Sequence, residues 1–304
     1  MARLLVVGGS GLLGAKVVAA ARRNYDVVAT HRSGAAPVEG VEWVEFHKEK
    51  LEDDRSIVDG TRPDFVVDTA ASHDVDRCEE DRERAWQVNA AATGALASAA
   101  HAHGAKYLFV STDFVFDGAR GSYKETDPTG PVNYYGVTKV AGEKATLEAD
   151  AGNQVVRPSV IYGWDSTRMN FATWLLTSLR DGKDVRIVTD WFGSPTWADD
   201  LAGSILRLLK VSAGGIFHLA GPDRLSRYEF ALRLAKAFHL DPGFVKPVMA
   251  AEFARKAARP MDSSLVNVRA GEHGLRSLSV DESLARMRSQ QDLESFVTPT
   301  RFKS

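Results

Sequence analysis

The sequence predicts an α/β fold: a doubly wound parallel sheet with a smaller C-terminal lobe. Three observations carry this. Short apolar runs alternate with segments of helical spacing through the first half of the chain. A glycine cluster stands directly between the first apolar run and the first helix. The character then changes after about Gly163, where larger amphipathic helices and proline-bearing loops take over.

Taken in order, Leu4–Val7 is a strand and Leu12–Arg23 a helix, and Asp26–Ala29 is strand-like again. Phe65–Asp68 follows the turn signal Arg62-Pro63-Asp64. Arg84–His103 is alanine-rich and reads as one long helix. Tyr107–Val110 is a strand, Gly136–Glu148 a helix, and Gln154–Val156 opens a further strand. Such βαβ units imply strands buried on both faces and joined by right-handed crossovers. In the second half, Asn170–Arg180 and Ala198–Lys210 read as helices and Gly215–Leu219 as a buried strand. Ser226–His239 is helical, with Ser226 and Glu229 at the positions of a capping box. The rest reads as loops and short helices, ending in about ten residues with little pattern.

Composition narrows the function classes. The chain has 304 residues and balances 38 Lys+Arg against 40 Asp+Glu, which argues against a broad nucleic-acid-binding surface. No run of about 18 apolar residues offers a membrane span. The single cysteine, Cys78, can form no internal disulfide and fits a reducing cytoplasm. The histidines show no metal spacing, and the acidic run after Cys78 reads as a solvated helix face, so no metal site is expected.

Gly8-Gly9-Ser10-Gly11-Leu12-Leu13-Gly14 places glycines at 8, 11 and 14 between a strand and a helix. The first permits a tight turn, the second close approach of backbone N–H groups to a pyrophosphate, and the third close helix–strand packing. The next strand ends in Thr30-His31-Arg32-Ser33, where an NAD-preferring site would carry an acid on the ribose 2′-hydroxyl. Arg32 instead offers a guanidinium to a 2′-phosphate, so NADP(H) is expected over NAD(H). Tyr135 and Lys139 stand at i and i+4 on one helix face, and an ammonium there is expected to lower the tyrosine pKa. Ser111-Thr112-Asp113 ends a strand just upstream, at the carboxyl edge where ligands bind. Phe171, Trp174 and Leu175 read as core, whereas for Trp164 and Trp191 core and substrate roles both stand.

These blocks resemble an extended short-chain dehydrogenase/reductase with a Rossmann-type domain, and within that superfamily the dTDP-4-dehydrorhamnose reductase family. The matching pieces run in order over about the whole chain: GGSGLLG, DTAASHDVDRCEED (68–81), VSTDFVFDG (110–118), NYYGVTKVAGE (133–143), VRPSVIYG (156–163), FGSPTWADDLA (192–202) and RPMDSSL (259–265). The resemblance implies an NADPH-dependent reductase of a nucleotide-linked 4-keto-6-deoxysugar, cytoplasmic and a monomer or homodimer. Thr112 would hold the keto oxygen and Tyr135 would be the general acid. Lys139 would bind the nicotinamide ribose. Gly8, Ser10, Gly11, Leu12, Leu13, Gly14, His31, Arg32, Ser33, Ala70 and Ala71 would line the cofactor site. His73, Val75, Asp113, Phe114, Val160 and Arg259 would face the sugar. Residues 1–163 and about 192–220 would form the nucleotide-binding domain, and about 164–191 and 221–304 the substrate lobe. Val160, Phe114 and His73 depart from the family pattern on the sugar side. The chain is also similar to the regulatory beta subunit of methionine adenosyltransferase, a partner-binding use of the same fold.

Overall fold

The computed structural model describes residues 1–34, 38–165 and 168–291, and the patternless C-terminal stretch lies outside them. In chain order the first half gives β1 (Arg3–Val7), α1 (Leu12–Ala21), β2 (Asp26–His31), β3 (Val41–Glu45), α2 (Leu51–Thr61), β4 (Phe65–Asp68), α3 (Val75–Glu80), α4 (Arg82–Trp86), α5 (Ala92–Ala102), β5 (Lys106–Val110), α6 (Tyr134–Ala149) and β6 (Gln154–Arg157). The second half gives β7 (Ile161–Tyr162), α7 (Phe171–Arg180), β8 (Val185–Val188), β9 (Phe192–Gly193), β10 (Thr196–Trp197), α8 (Ala198–Leu208), β11 (Gly215–His218), β12 (Leu225–Ser226), α9 (Arg227–Ala237), β13 (Val245–Val248), α10 (Val268–Glu272) and α11 (Val280–Gln290).

Seven strands form one parallel sheet in the order β3-β2-β1-β4-β5-β6-β11. The chain winds outward from β1 to β3, then returns and winds the other way from β4. That reversal opens a crevice beyond the carboxyl ends of β1 and β4. Strand alternation feeds two cores, one per face. Leu4, Val6, Leu108 and Val110 pack under α1 and α8 with Val17, Leu201 and Ile205. Leu5, Val7, Tyr107 and Phe109 pack under α2 and α5 with Val58, Leu96 and Ala100. A third core gathers Tyr162, Leu175, Leu176, Ile187, Phe230, Leu234, Leu284 and Met287 from α7, α9, α11 and the short strands.

Several elements differ from the sequence expectation. The long helix expected over 84–103 is interrupted: Gln87–Ala91 forms a π-helical turn between α4 and α5. The strand β3 was hidden because Glu42 and Glu45 break its apolar run, and as an edge strand it stays half-exposed. Beyond residue 240, β13 pairs in parallel with β8, and α11 runs for 11 residues from a Ser279/Glu282 capping box, more order than loops and short helices.

Candidate active site

The glycine loop is shaped by contacts that leave no room for side chains. Gly8 has φ +81°, and a Cβ on it would meet the backbone of Ala70 at 2.9 Å. A Cβ on Gly14 would stand 2.1 Å from the Gly8 carbonyl oxygen, so α1 can pack this close only with glycine there. Gly11 is different: its φ is −83°, and a Cβ would meet only the Gly8 oxygen, at 3.4 Å. Nothing in the protein demands glycine at 11, so the residue fits a ligand approaching the N-terminus of α1. That helix carries no side-chain cap and no acid in its first turn, which leaves its N–H groups available to an anion. Leu12 and Leu13 begin the helix, Leu13 buried in the core and Leu12 half-buried. Ser10 is half-buried at the loop tip.

His31 closes β2, with its ring 6.3 Å from that of Trp43. Arg32 and Ser33 follow and are exposed. The Arg32 Nε lies 3.4 Å from a carboxylate oxygen of Glu49, an exposed pairing that a stronger anion can displace. Ala70 packs against Gly8 on the segment after β4, and Ala71 follows it. Thr69 fixes that segment by donating to the Val7 carbonyl at 2.9 Å, and Asn89 binds Ser72 through both backbone groups, at 2.8 and 3.0 Å. Asn89 belongs to the π turn and also donates to Thr138 of α6 at 3.1 Å. The extra residue in the helix thus aims one amide at both the cofactor-side loop and the Tyr135 helix.

Asn133 caps α6 and puts Tyr135 and Lys139 on its buried face. Thr112, at the end of β5, shares a hydrogen bond with the Tyr135 hydroxyl and donates to Asp113 at 3.1 Å. The other Asp113 oxygen accepts from Ser159 at 2.7 Å and from Ser263 at 2.5 Å. Burial holds the Asp113 carboxyl above the usual range, and the serine and threonine hydroxyls work against that.

The expected lowering of the Tyr135 pKa is corrected here. Burial pushes the phenol up, Thr112 opposes this, and the nearby Asp113 charge adds to the rise. The Lys139 Nζ is engaged elsewhere, donating to the Val110 carbonyl at 2.7 Å and sitting 3.9 Å from the centre of the Phe109 ring. Desolvation, then the charge of Lys48, brings Lys139 down to about 7.

The residues expected on the sugar side separate into two groups. Phe114 sits edge-on to Tyr135 at 6.1 Å and 6.4 Å from Trp191, and Val75 packs against the same cluster with Cys78. Val160 lies beside Asp113's partner Ser159 and holds φ +47°, a strained conformation for a β-branched residue. Arg259, by contrast, is engaged by Asp76 through both guanidinium nitrogens, at 3.1 and 2.9 Å, and donates to Ala257. His73 is exposed, with only a long 3.5 Å contact to Ala71.

Residues that sequence reasoning left open or passed over complete the cleft. Trp164 is core, its indole donating to Met287 at 2.7 Å. Trp191 lies in the cleft between two cations, Arg255 at 4.6 Å and Arg227 at 4.9 Å from its ring. With Phe171, Trp174, Arg186 and Phe253 they line a cavity of about 260 Å³. Trp174 therefore faces this cavity rather than the core expected for it, being 39% exposed. Burial and the neighbouring Arg255 lower Arg227 to about 10, while Asp113 opposes that, so the arginine spans from the cavity to the Asp113 carboxyl. Beneath, Glu143 accepts two bonds from Arg157 and one from Ser111, a buried brace between α6, β5 and β6. Among the described residues no His/Cys/Asp/Glu group could hold a metal, and no helix is long and apolar enough to cross a membrane.

Comparison with known proteins places this geometry. The family model described as the RmlD substrate binding domain matches residues 2–292. The chain belongs to the RmlD substrate-binding domain family. An RmlD-family relative, the dTDP-4-dehydrorhamnose reductase of Mycolicibacterium smegmatis, is 34% identical over 283 residues, covering 91% of this chain and 82% of its own. Methionine adenosyltransferase 2 subunit beta of Rattus norvegicus is 31% identical over 257 residues, covering 81% and 75%. The crystal structure of dTDP-4-dehydrorhamnose reductase from Bacillus anthracis in complex with NADP superposes with a TM-score of 0.86 at 28% identity, covering 95% of this chain and 99% of that one. The doubly wound parallel sheet is thus the RmlD-family fold.

Proposed function

We propose that this protein is an NADPH-dependent reductase of a nucleotide-linked 4-keto-6-deoxysugar. The observation that carries the reading is the meeting of Thr112, Tyr135 and Lys139 at the carboxyl edge of β5, beside a glycine loop with room for a pyrophosphate. The named relatives and the NADP complex in the family support it. NADPH supplies a hydride to the sugar C4 when bound. Gly11 and the first turn of α1 would hold its pyrophosphate, Arg32 its 2′-phosphate, and Lys139 its nicotinamide ribose. Thr112 positions the keto oxygen and Tyr135 gives that oxygen its proton. A tyrosine held protonated by burial suits donation: the proton is present at every working pH and leaves only when negative charge develops on the substrate oxygen. The Arg227–Trp191–Arg255 cavity offers cations and an aromatic face to the diphosphate and base of the nucleotide handle. Residues 1–163 and about 192–220 act as the cofactor domain and the remainder as the substrate lobe.

The rat relative supports a second reading, a cofactor-binding regulatory subunit of a methionine adenosyltransferase. NADPH oxidation across dTDP-, UDP-, GDP- and CDP-linked 4-keto-6-deoxysugars tests the first. A stoichiometric complex with a methionine adenosyltransferase catalytic subunit, with no oxidation of NADPH by any sugar, would establish the second in its place.

A further inference from the structure

Two lysines are buried at the floor of the cofactor crevice, and only one belongs to the Tyr135 helix. Lys48, on the loop after β3, is 4% exposed. Its three N–H donors are all engaged: Asp68 at 2.5 Å, Thr93 at 3.0 Å and the Ala70 carbonyl at 3.1 Å. Asp68 is fully buried at the end of β4, where it also accepts from the Tyr107 hydroxyl at 2.6 Å and from the Ala70 N–H at 3.1 Å. The pair therefore grips both backbone groups of Ala70, the residue packed against Gly8. Lys48 also sits 5.7 Å from the centre of the Phe109 ring, which Lys139 approaches to 3.9 Å. Two ammonium groups thus share one aromatic side chain in a site closed to water, where charges act over several ångströms with little screening.

We propose that the Lys48–Asp68 ion pair is a positioning device that fixes Ala70 against the glycine loop and holds an ammonium beside Lys139 at the Phe109 ring. Its use in catalysis rests on the reading that Lys139 holds the cofactor ribose. Removing one partner of a buried pair strands the other, so such a pair is kept or lost as a unit. The charged and titratable groups facing Lys139 are Lys48 from the β3 loop, Asp68 from β4, Glu143 from its own helix and the Cys78 thiol from α3. Glu143 is tied to Arg157 and Ser111, and Cys78 donates to Ser72, so neither depends on Lys48. Lys48 lowers Lys139 by more than Asp68 raises it.

The test follows the ¹³Cε resonances of lysine-labelled protein through a pH titration, with Lys139 assigned by the signal lost in Lys139→Met. Wild type is expected to titrate near 7. Lys48→Met/Asp68→Asn removes both charges and leaves neither stranded; the Lys139 midpoint is expected to rise. Asp68→Asn is isosteric and leaves Lys48 its Ala70 and Thr93 acceptors. It is expected to move the Lys139 midpoint downward. A merely structural role would give no such opposed pair of shifts. An unchanged midpoint in both variants, or shifts in one direction, would overturn the proposal. These spectra need no cofactor, so they are decided separately from the reductase reading, which fails if wild type binds no NADPH. For Ala70, the double variant is expected to bind NADPH about tenfold more weakly at pH 6, where Lys139 is charged; wild-type affinity would remove the anchoring role.

Discussion

Tyr135 and Arg32 stand in opposite surroundings, one buried and one exposed. Tyr135 is enclosed, hydrogen-bonded to Thr112, and held protonated by burial. Tyr135→Phe keeps the ring against Phe114 and removes only the proton. Since a positioned acid contributes about 10²–10⁴-fold, steady-state turnover should fall by that factor with the NADPH dissociation constant unchanged. Wild-type turnover in that variant would hand the role of acid to another group. Arg32 is the opposite case, exposed and held only by a 3.4 Å contact to Glu49. Its charge becomes useful when a phosphate arrives. Arg32→Ala should cost NADPH binding about 1.5–3 kcal/mol, roughly tenfold or more, and leave NADH nearly unaffected. Titration of both cofactors against both proteins reads this out, and equal wild-type affinities would refute the preference.

At the scale of elements, the strand–loop–helix unit from β1 to α1 separates glycines that the fold requires from one that it does not. Gly14→Ala would drive a methyl to 2.1 Å from the Gly8 oxygen and force α1 away from β1. Overpacking of this kind costs about 1–3 kcal/mol, so a lowered midpoint in urea unfolding is expected. Gly11→Ala meets only a 3.4 Å contact, so stability should hold while NADPH affinity falls. If both variants lost stability equally, the loop would be a structural turn and nothing more. The position of this unit was legible in the sequence because glycine spacing and the strand-to-helix change lie within one short segment. The same holds for Tyr135 and Lys139 on one helix face. Lys48 was not legible: within Phe46-His47-Lys48-Glu49-Lys50 it looks like one charge of a solvated loop, and its burial is fixed by Asp68, 20 residues on. The pairing of Arg259 with Asp76 was not legible either, since the two lie 183 residues apart in sequence. Trp191 and its two arginines come from three separate segments, which no local pattern joins. The π turn was equally hidden, since one extra residue per turn leaves alanine-rich composition unchanged.

The whole molecule is closed by the chain's return from the third core to the large sheet. Tyr123 bridges in parallel to Leu265, and Ser263, Ser264 and Asn267 reach back to Asp113, Ser122 and Ala220. His218, at the end of the edge strand β11, lies inside this closure with no exposed surface. Its ring bonds the Val266 carbonyl at 3.1 Å and meets Phe116 edge-on at 5.8 Å. Desolvation, then the Arg157 charge, lowers it to about 3 from 6.5. A histidine depressed in the folded state binds its proton first in the unfolded state. Its stabilising effect is therefore complete above pH 6.5 and is lost as pH falls toward 3. Between pH 7 and pH 5 the loss from this one group comes to about 2 kcal/mol. Asp113, raised by burial, acts with the opposite sign, gaining stability as pH falls, so the total curve mixes the two. His218→Gln separates them. Both proteins would be unfolded in urea at pH 7 and pH 5, and the difference between their stability changes isolates the histidine. Wild type should lose about 2 kcal/mol more than the variant over that interval. Equal losses would mean that protonated His218 is accommodated in the closed structure, and that the return segment can open around it without unfolding the sheet.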